Sequence, residues 1–301
     1  MVFRLVRIAA VVALTASPLV AQSIDDGLML PRRTLAAGVA YSHESWDQYW
    51  EGSLKRSNGN IGTLTTRTVT WMGGYGITDR IGLLATLPYI RTHASQGVLR
   101  DMSGLQDLTL AAKIRLLSTG ETSHGALSAF VVGAGAVPMS HYTPDFLPLS
   151  IGTAGRRASA RATVDYQSNS ALFATVSSAY TFCANVRLNR ASYYTNGQLY
   201  NTNEVEMPNV LVNSVRTGLA SGHWRLPVTL TQQHTLGGSD IRRQDMPFVS
   251  NRMDFVKLDA GAMYELPKSF SVRVEAGHVL SGRNVGQSTT FTTGLMYALH
   301  L

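Results

Sequence analysis

The residues with chemistry in them are charged side chains set two apart. Between Arg157 and Gln167, the positions Arg157, Ser159, Arg161, Thr163, Asp165 and Gln167 alternate with Ala158, Ala160, Ala162, Val164 and Tyr166. Successive side chains of a strand point to opposite faces, so this spacing gives one polar face and one apolar face. A helix would mix the same residues around its surface. The pattern recurs, and it places Asp107, Lys113, Arg115, Arg157, Arg161, Asp165, Arg216, Lys257, Asp259, Arg273 and Glu275 on polar strand faces. Basic residues outnumber acidic ones in that set. Two roles are open to them. They line a wet pore that weakly favours anions, as rings of Arg and Lys do, or they pair with one another and fill a narrow interior.

Catalytic constellations are absent from the sequence. His141, His234, His278 and His300 stand apart from one another, with no convincing neighbouring Ser-Asn constellation of the kind a hydrolase needs. There is no Gly-x-Ser-x-Gly, and His43-Glu44-Ser45-Trp46-Asp47 lacks the second His of a zinc motif. No catalytic residue, metal ligand or cofactor is therefore expected. Cys183 is the single cysteine, so an internal disulfide is excluded, and it reads as a small apolar filler. A second group of candidates is aromatic: Trp46, Tyr49 and Trp50 in one connection, and Tyr193, Tyr194 and Tyr200 in another. They serve either as a platform for an aromatic or sugar ligand or as interfacial anchors and loop packing.

The elements that position these residues follow from the same period of two. Twelve alternating segments stand at about 34–43, 64–76, 80–93, 105–117, 125–137, 157–167, 171–182, 209–221, 225–236, 252–265, 269–280 and 289–301. Each exceeds the usual 5–6 residues of a soluble strand and is long enough for the 9–11 that a tilted strand needs to cross a bilayer, with small extensions beyond the membrane supplying the excess. Their connections alternate long and short, as in an up-and-down outer-membrane barrel with short periplasmic turns. An even strand number puts both termini on the periplasmic side. Closure pairs every backbone N–H and C=O, which lipid demands. The fold expected is all-β: a transmembrane up-and-down antiparallel β-barrel of about 12 strands. Trp71, Tyr89, Tyr180, Tyr264 and Tyr297 are expected near strand ends, in the interfacial girdles.

Composition agrees. Only 15% of the 301 residues are charged and 45% are apolar, and small polar residues make up the difference. The net charge of +7 is scattered without a basic run, so no nucleic-acid partner is expected. The longest apolar run, Ile8 to Leu14, is far too short for a membrane helix. With Arg4 and Arg7 before it and Ala21 after it, the segment 1–21 reads as a signal peptide. Residues 22–33 then form a short periplasmic segment, and 34–301 the barrel. The terminal strand Gly294 to Leu301 is similar to the signal read by the outer-membrane assembly machinery.

Residues 75–90 read Tyr-Gly-Ile-Thr-Asp-Arg-Ile-Gly-Leu-Leu-Ala-Thr-Leu-Pro-Tyr-Ile, and 104–117 read Gly-Leu-Gln-Asp-Leu-Thr-Leu-Ala-Ala-Lys-Ile-Arg-Leu-Leu. This hairpin and following strand resemble the outer-membrane family named for the MetA pathway of phenol degradation, whose members are described as transporters. The resemblance implies an outer-membrane barrel and a channel for aromatic or other small apolar compounds. The partners expected are membrane lipid, the assembly machinery and a small-molecule solute. Two other functions remain open: a non-conducting barrel whose outer loops bind a ligand or partner, and an outer-membrane esterase or phospholipase.

Overall fold

The computed structural model describes residues 23–243 and 245–301. The expected signal peptide, 1–21, lies outside the described residues.

Twelve antiparallel strands close into one barrel. They are β1 (Thr34–Trp46), β2 (Leu64–Thr78), β3 (Ile81–Ala94), β4 (Asp107–Ser118), β5 (Ala126–Pro138), β6 (Arg157–Gln167), β7 (Leu172–Cys183), β8 (Asn209–Ser221), β9 (Trp224–Leu236), β10 (Asp254–Leu266), β11 (Phe270–Arg283) and β12 (Thr289–His300). Every strand pairs with its sequence neighbour, and β12 returns to β1 with Thr34 opposite His300 and Ser45 opposite Thr289. No edge is left for another chain to extend. The strands are where the period of two puts them, because alternation needs only local sequence to be visible.

The pairing of β3 with β4 is interrupted. It runs from Ile81 to Thr86, and then Tyr89 to Thr92 pair instead with the short strand Met102–Leu105. Pro88, which has no N–H to give, sits at the break. Its carbonyl accepts the Gln106 N–H at 2.9 Å. Asp107 is thereby placed at the first position of β4, just beyond the break.

The outer wall is apolar. Leu110, Val164, Val176, Val215, Leu230, Val274 and Leu295 are all exposed on it, forming the belt that faces lipid in such barrels. Two aromatic girdles bound the belt. On the periplasmic side Trp224 packs on Tyr264 at 4.6 Å and Phe270 on Tyr297 at 4.8 Å. Tyr89, Tyr180 and Phe182 are exposed on the opposite side. Trp71 departs from the expectation. It lies on the outer wall in mid-strand, opposite Val39, and not in a girdle. Alternation fixes which face a residue takes, but not its depth.

The short turns end in tight geometry at the periplasmic side: Gly222 takes φ +57° in the connection between β8 and β9. The long connections carry structure of their own. Gln48–Glu51 pairs with Leu54–Ser57, and Tyr193–Thr195 with Gln198–Tyr200.

Candidate functional site

The lumen is built in three layers, and its lowest layer is a segment the sequence places elsewhere. Residues 23–31 do not lie free in the periplasm. They enter the barrel at the rim, where Arg33 donates to the Gly76 carbonyl at 2.7 Å, and rise inside the wall. Leu30 is 1% exposed and packs with Leu84, Ala111 and Val132. Beyond Leu30, toward the start of the segment, the enclosed ammonium of Lys113 donates to the Ser23 carbonyl at 3.0 Å, and to the Asp26 carbonyl and carboxylate at 2.7 Å each. All three of its donors are used. Asp25 pairs with Arg216 at 2.9 Å. Burial alone would raise the Asp25 carboxyl, but Arg216, the Ser23 hydroxyl, Arg161 and Arg273 together hold it well below the usual carboxylate range. Gly27 passes so close to the wall that a Cβ there would fall 2.0 Å from the Asp165 Cγ. The segment is a plug bound by charge and by close fit.

The reason for the plug lies in the wall. Charges removed from water are costly unless paired, by several kcal/mol per ion. The luminal set carries more basic than acidic residues, and two carboxylates from outside the barrel wall offset part of that excess. The sequence signal for this was the adjacent Asp25-Asp26 in the segment that precedes β1. Periodicity could not find it, because the segment is not a strand.

The uppermost layer is a cap made by the long connections. Asp107, 3% exposed, pairs with Arg157 at 2.5 Å and accepts the Tyr142 hydroxyl at 3.0 Å. The hydroxyl also accepts the Ala154 N–H at 3.0 Å. Burial, reinforced by the Asp107 carboxylate, pushes the Tyr142 phenol up, so it remains a donor. The Thr92 hydroxyl donates to the Leu149 carbonyl at 2.6 Å. The connection 139–156 is thereby drawn onto luminal groups of β3, β4 and β6. Beside it, Val186, Leu188, Tyr193, Val205, Phe248 and Val249 form a small apolar core, with Leu147 packed against it.

The loop aromatics mostly serve this cap. Tyr193 stacks on Tyr200 at 5.0 Å and on Phe248 at 5.2 Å. Trp50 is buried, and Trp46 lies 6.3 Å from Tyr49. Tyr194 stays exposed. With the ring faces of Tyr193 and Tyr200 spent on each other and on Phe248, the packing role has the stronger geometric support.

Between plug and cap is a cavity of about 200 Å³. Ile24 of the plug borders it. Val132, Ala134, Ala136, Ala179 and Val212 give it apolar walls, and Thr109, Arg157, Ser159, Arg161 and Thr181 its polar groups. Register explains the mixture. Arg161 stands between Val132 of β5 and Ala179 of β7 on the same face, and Arg157 stands beside Ala136. Small neighbours leave the space that the arginines share.

The other candidates are spread around the wall. Asp165 accepts the Thr175 hydroxyl at 2.6 Å and the Gln167 amide at 2.7 Å. Arg115 donates to the Asp79 carbonyl at the periplasmic rim. Lys257 pairs with Asp259 at 2.7 Å and Arg273 with Glu275 at 2.6 Å, each two residues along its own strand. The structure thus brings Lys113, Asp165 and Arg216 to the plug, and Arg157 and Arg161 to the cavity. Lys257 and Asp259 border neither. Arg225 was missed. Its guanidinium lies 3.8 Å over the buried Phe173 ring, and the polar face of Thr229, Thr231 and Gln233 points to it if the alternation is carried back to the start of β9.

Comparison with known proteins agrees with this architecture. No curated protein matches the chain. Among solved structures, the COG4313 outer membrane channel from Pseudomonas putida F1 matches with a TM-score of 0.72 at 16% identity, covering 93% of this chain and 100% of that one. The TodX monoaromatic hydrocarbon channel, as a deletion mutant, gives 0.47 at 10% identity over 90% and 91% of the two chains. The NanC porin gives 0.48 at 7% over 86% and 100%. The family model described as "Putative MetA-pathway of phenol degradation" covers residues 52–294. With its lipid-facing belt, girdles and polar interior, the chain is an outer-membrane β-barrel, and it belongs to that family.

Proposed function

We propose that the protein is a channel for passive or facilitated passage of small molecules across the outer membrane, exported by residues 1–21 as its signal peptide. The observation that carries this reading is how the lumen is obstructed. A side-chain-filled barrel is occupied by its own wall, but the lumen of this one holds a tethered segment bound by two ion pairs, Asp26–Lys113 and Asp25–Arg216. Such a plug can leave while the barrel stays intact. The luminal charges then act as electrostatic lining and not in catalysis. The family points to aromatic or other small apolar compounds as solutes, and the cavity walls suit an apolar body. The terminal strand ending at Leu301 is the segment offered to the assembly machinery.

The test is planar-bilayer recording of the folded protein beside a form lacking residues 23–30. Discrete conductance steps, larger or more frequent in the shortened form, are expected. If both forms migrate as folded, heat-modifiable barrels and both stay silent, the channel reading is overturned. A barrel that only presents loops would then be the better account.

A further inference from the structure

We propose that the cavity between plug and cap is a binding site for a small organic monocarboxylate with an apolar body, and that Arg161 takes the carboxylate. The reasoning starts from which luminal cations are already satisfied. Lys113 and Arg216 are engaged by the plug, Arg157 by Asp107, and Lys257 and Arg273 by their strand neighbours. Arg161 has no carboxylate within 4 Å among the described residues. Its one side-chain hydrogen bond goes from Nη1 to the Ser177 hydroxyl at 2.8 Å. A guanidinium has five N–H donors, so most of its recognition capacity remains.

The surroundings say what kind of anion fits. Val132 and Ala179 flank Arg161 on the neighbouring strands, and Val212 and Ile24 add apolar wall alongside the polar Thr109, Ser159 and Thr181. A volume of about 200 Å³ is several times the share of one water in the liquid, about 30 Å³. The site is therefore larger than chloride or a single water needs, and its walls reward apolar atoms. Hydrogen bonds to a charged partner are roughly twice as strong as neutral ones, and the guanidinium fork matches the two oxygens of a carboxylate. One available cation selects a single negative charge. A neutral phenol would fill the same walls but leave the remaining N–H donors of the guanidinium without a carboxylate to bond. The cavity thus narrows the solute class from aromatic compounds in general to their acids, or to aliphatic acids of similar size.

This inference rests on the channel reading for how the solute arrives, but occupancy is measurable without transport. The experiment is isothermal titration of the detergent-solubilised, heat-modifiable protein with benzoate, benzamide and phenol. Benzoate is expected to bind at least tenfold more tightly than either neutral ring. Arg161→Gln is expected to weaken benzoate at least tenfold and to leave benzamide unchanged, with Arg161→Lys in between. Ala179→Leu, which fills the cavity and keeps the charge, is expected to weaken it as well. Should Arg161→Gln fail to fold, the Ala179→Leu variant and the three-ligand comparison on the native chain still decide the matter. No benzoate binding, equal binding of benzamide, or unchanged affinity in the folded variants overturns the proposal. A protein that binds benzoate but passes no current keeps this site and loses the channel reading. A conducting protein that does not bind benzoate does the reverse.

Discussion

Lys113 and Asp26 meet at 2.7 Å inside the barrel, one from the wall and the other from the segment that precedes the first strand. The lysine side chain is fully enclosed, and its ammonium also lies 5.2 Å from the Phe130 ring centre. The contact joins a fixed part of the molecule to a detachable one.

Removing one partner of a buried pair leaves the other uncompensated, at a cost of about 3–5 kcal/mol. Asp26→Asn does this to Lys113. The barrel wall is held by its own ladder, so the expected outcome is release of residues 23–31 and not loss of the barrel. Single-channel conductance should rise while heat-modifiability on a gel is unchanged. Combining Asp26→Asn with Lys113→Met removes the stranded charge and should recover part of the plugged behaviour.

Gly27→Val tests the plug without touching its charges. The added Cβ would fall 2.0 Å from the Asp165 Cγ, and Asp165 is held in place by Thr175 and Gln167. The segment cannot seat as it stands. Protease added from the periplasmic side should cut residues 23–31 in this variant and spare them in the native chain.

The pH dependence of the plug follows from Asp25. Against the effect of burial, its carboxyl is held in the folded state well below its ordinary value of 3.8, chiefly by Arg216. A lowered carboxylate contributes stability that is complete above its unfolded value and is lost as pH falls through the folded one. From this group, conductance should therefore stay flat between about pH 7 and pH 5. Acid-driven opening should begin only below pH 3.8. Asp25→Asn should abolish that acid transition. An opening step near pH 6 that survives in Asp25→Asn would assign the transition to another group.

Asn284 holds the outer loops together. Its side-chain oxygen accepts the Gly52 N–H at 2.7 Å and the Ile241 N–H at 3.0 Å, and its amide donates to Asp240 at 2.8 Å and to the Arg252 carbonyl at 2.7 Å. It also sits at φ +55°, a conformation that Asn tolerates better than Ala. Asn284→Ala leaves buried partners unpaired, at about 1–3 kcal/mol each. Loops 47–63 and 237–253 should become sensitive to external protease, and the barrel should still resist unfolding in detergent.

How much of this was readable beforehand divides along one physical line. Strand number, strand limits, the inward face of Arg157, Arg161 and Asp165, and the lipid-facing belt follow from a period of two, which each segment carries within itself. The family was readable because the stretches 75–90 and 104–117 are contiguous. What no local pattern contains is which charge meets which. Asp107 and Arg157 lie fifty positions apart, and Asp25 and Arg216 almost two hundred. Their pairing depends on barrel closure, which brings remote faces to one lumen. The same holds for the plug, since residues 23–31 have no periodicity and take their place from the positive charge around them and from the fit of Gly27 and Leu30 to the wall. The depth of Trp71, the use of Tyr193 and Tyr200 as cap packing, and the cavity beside Arg161 were likewise decided by register between strands. Sequence sets the face each side chain takes, and closure sets its neighbours.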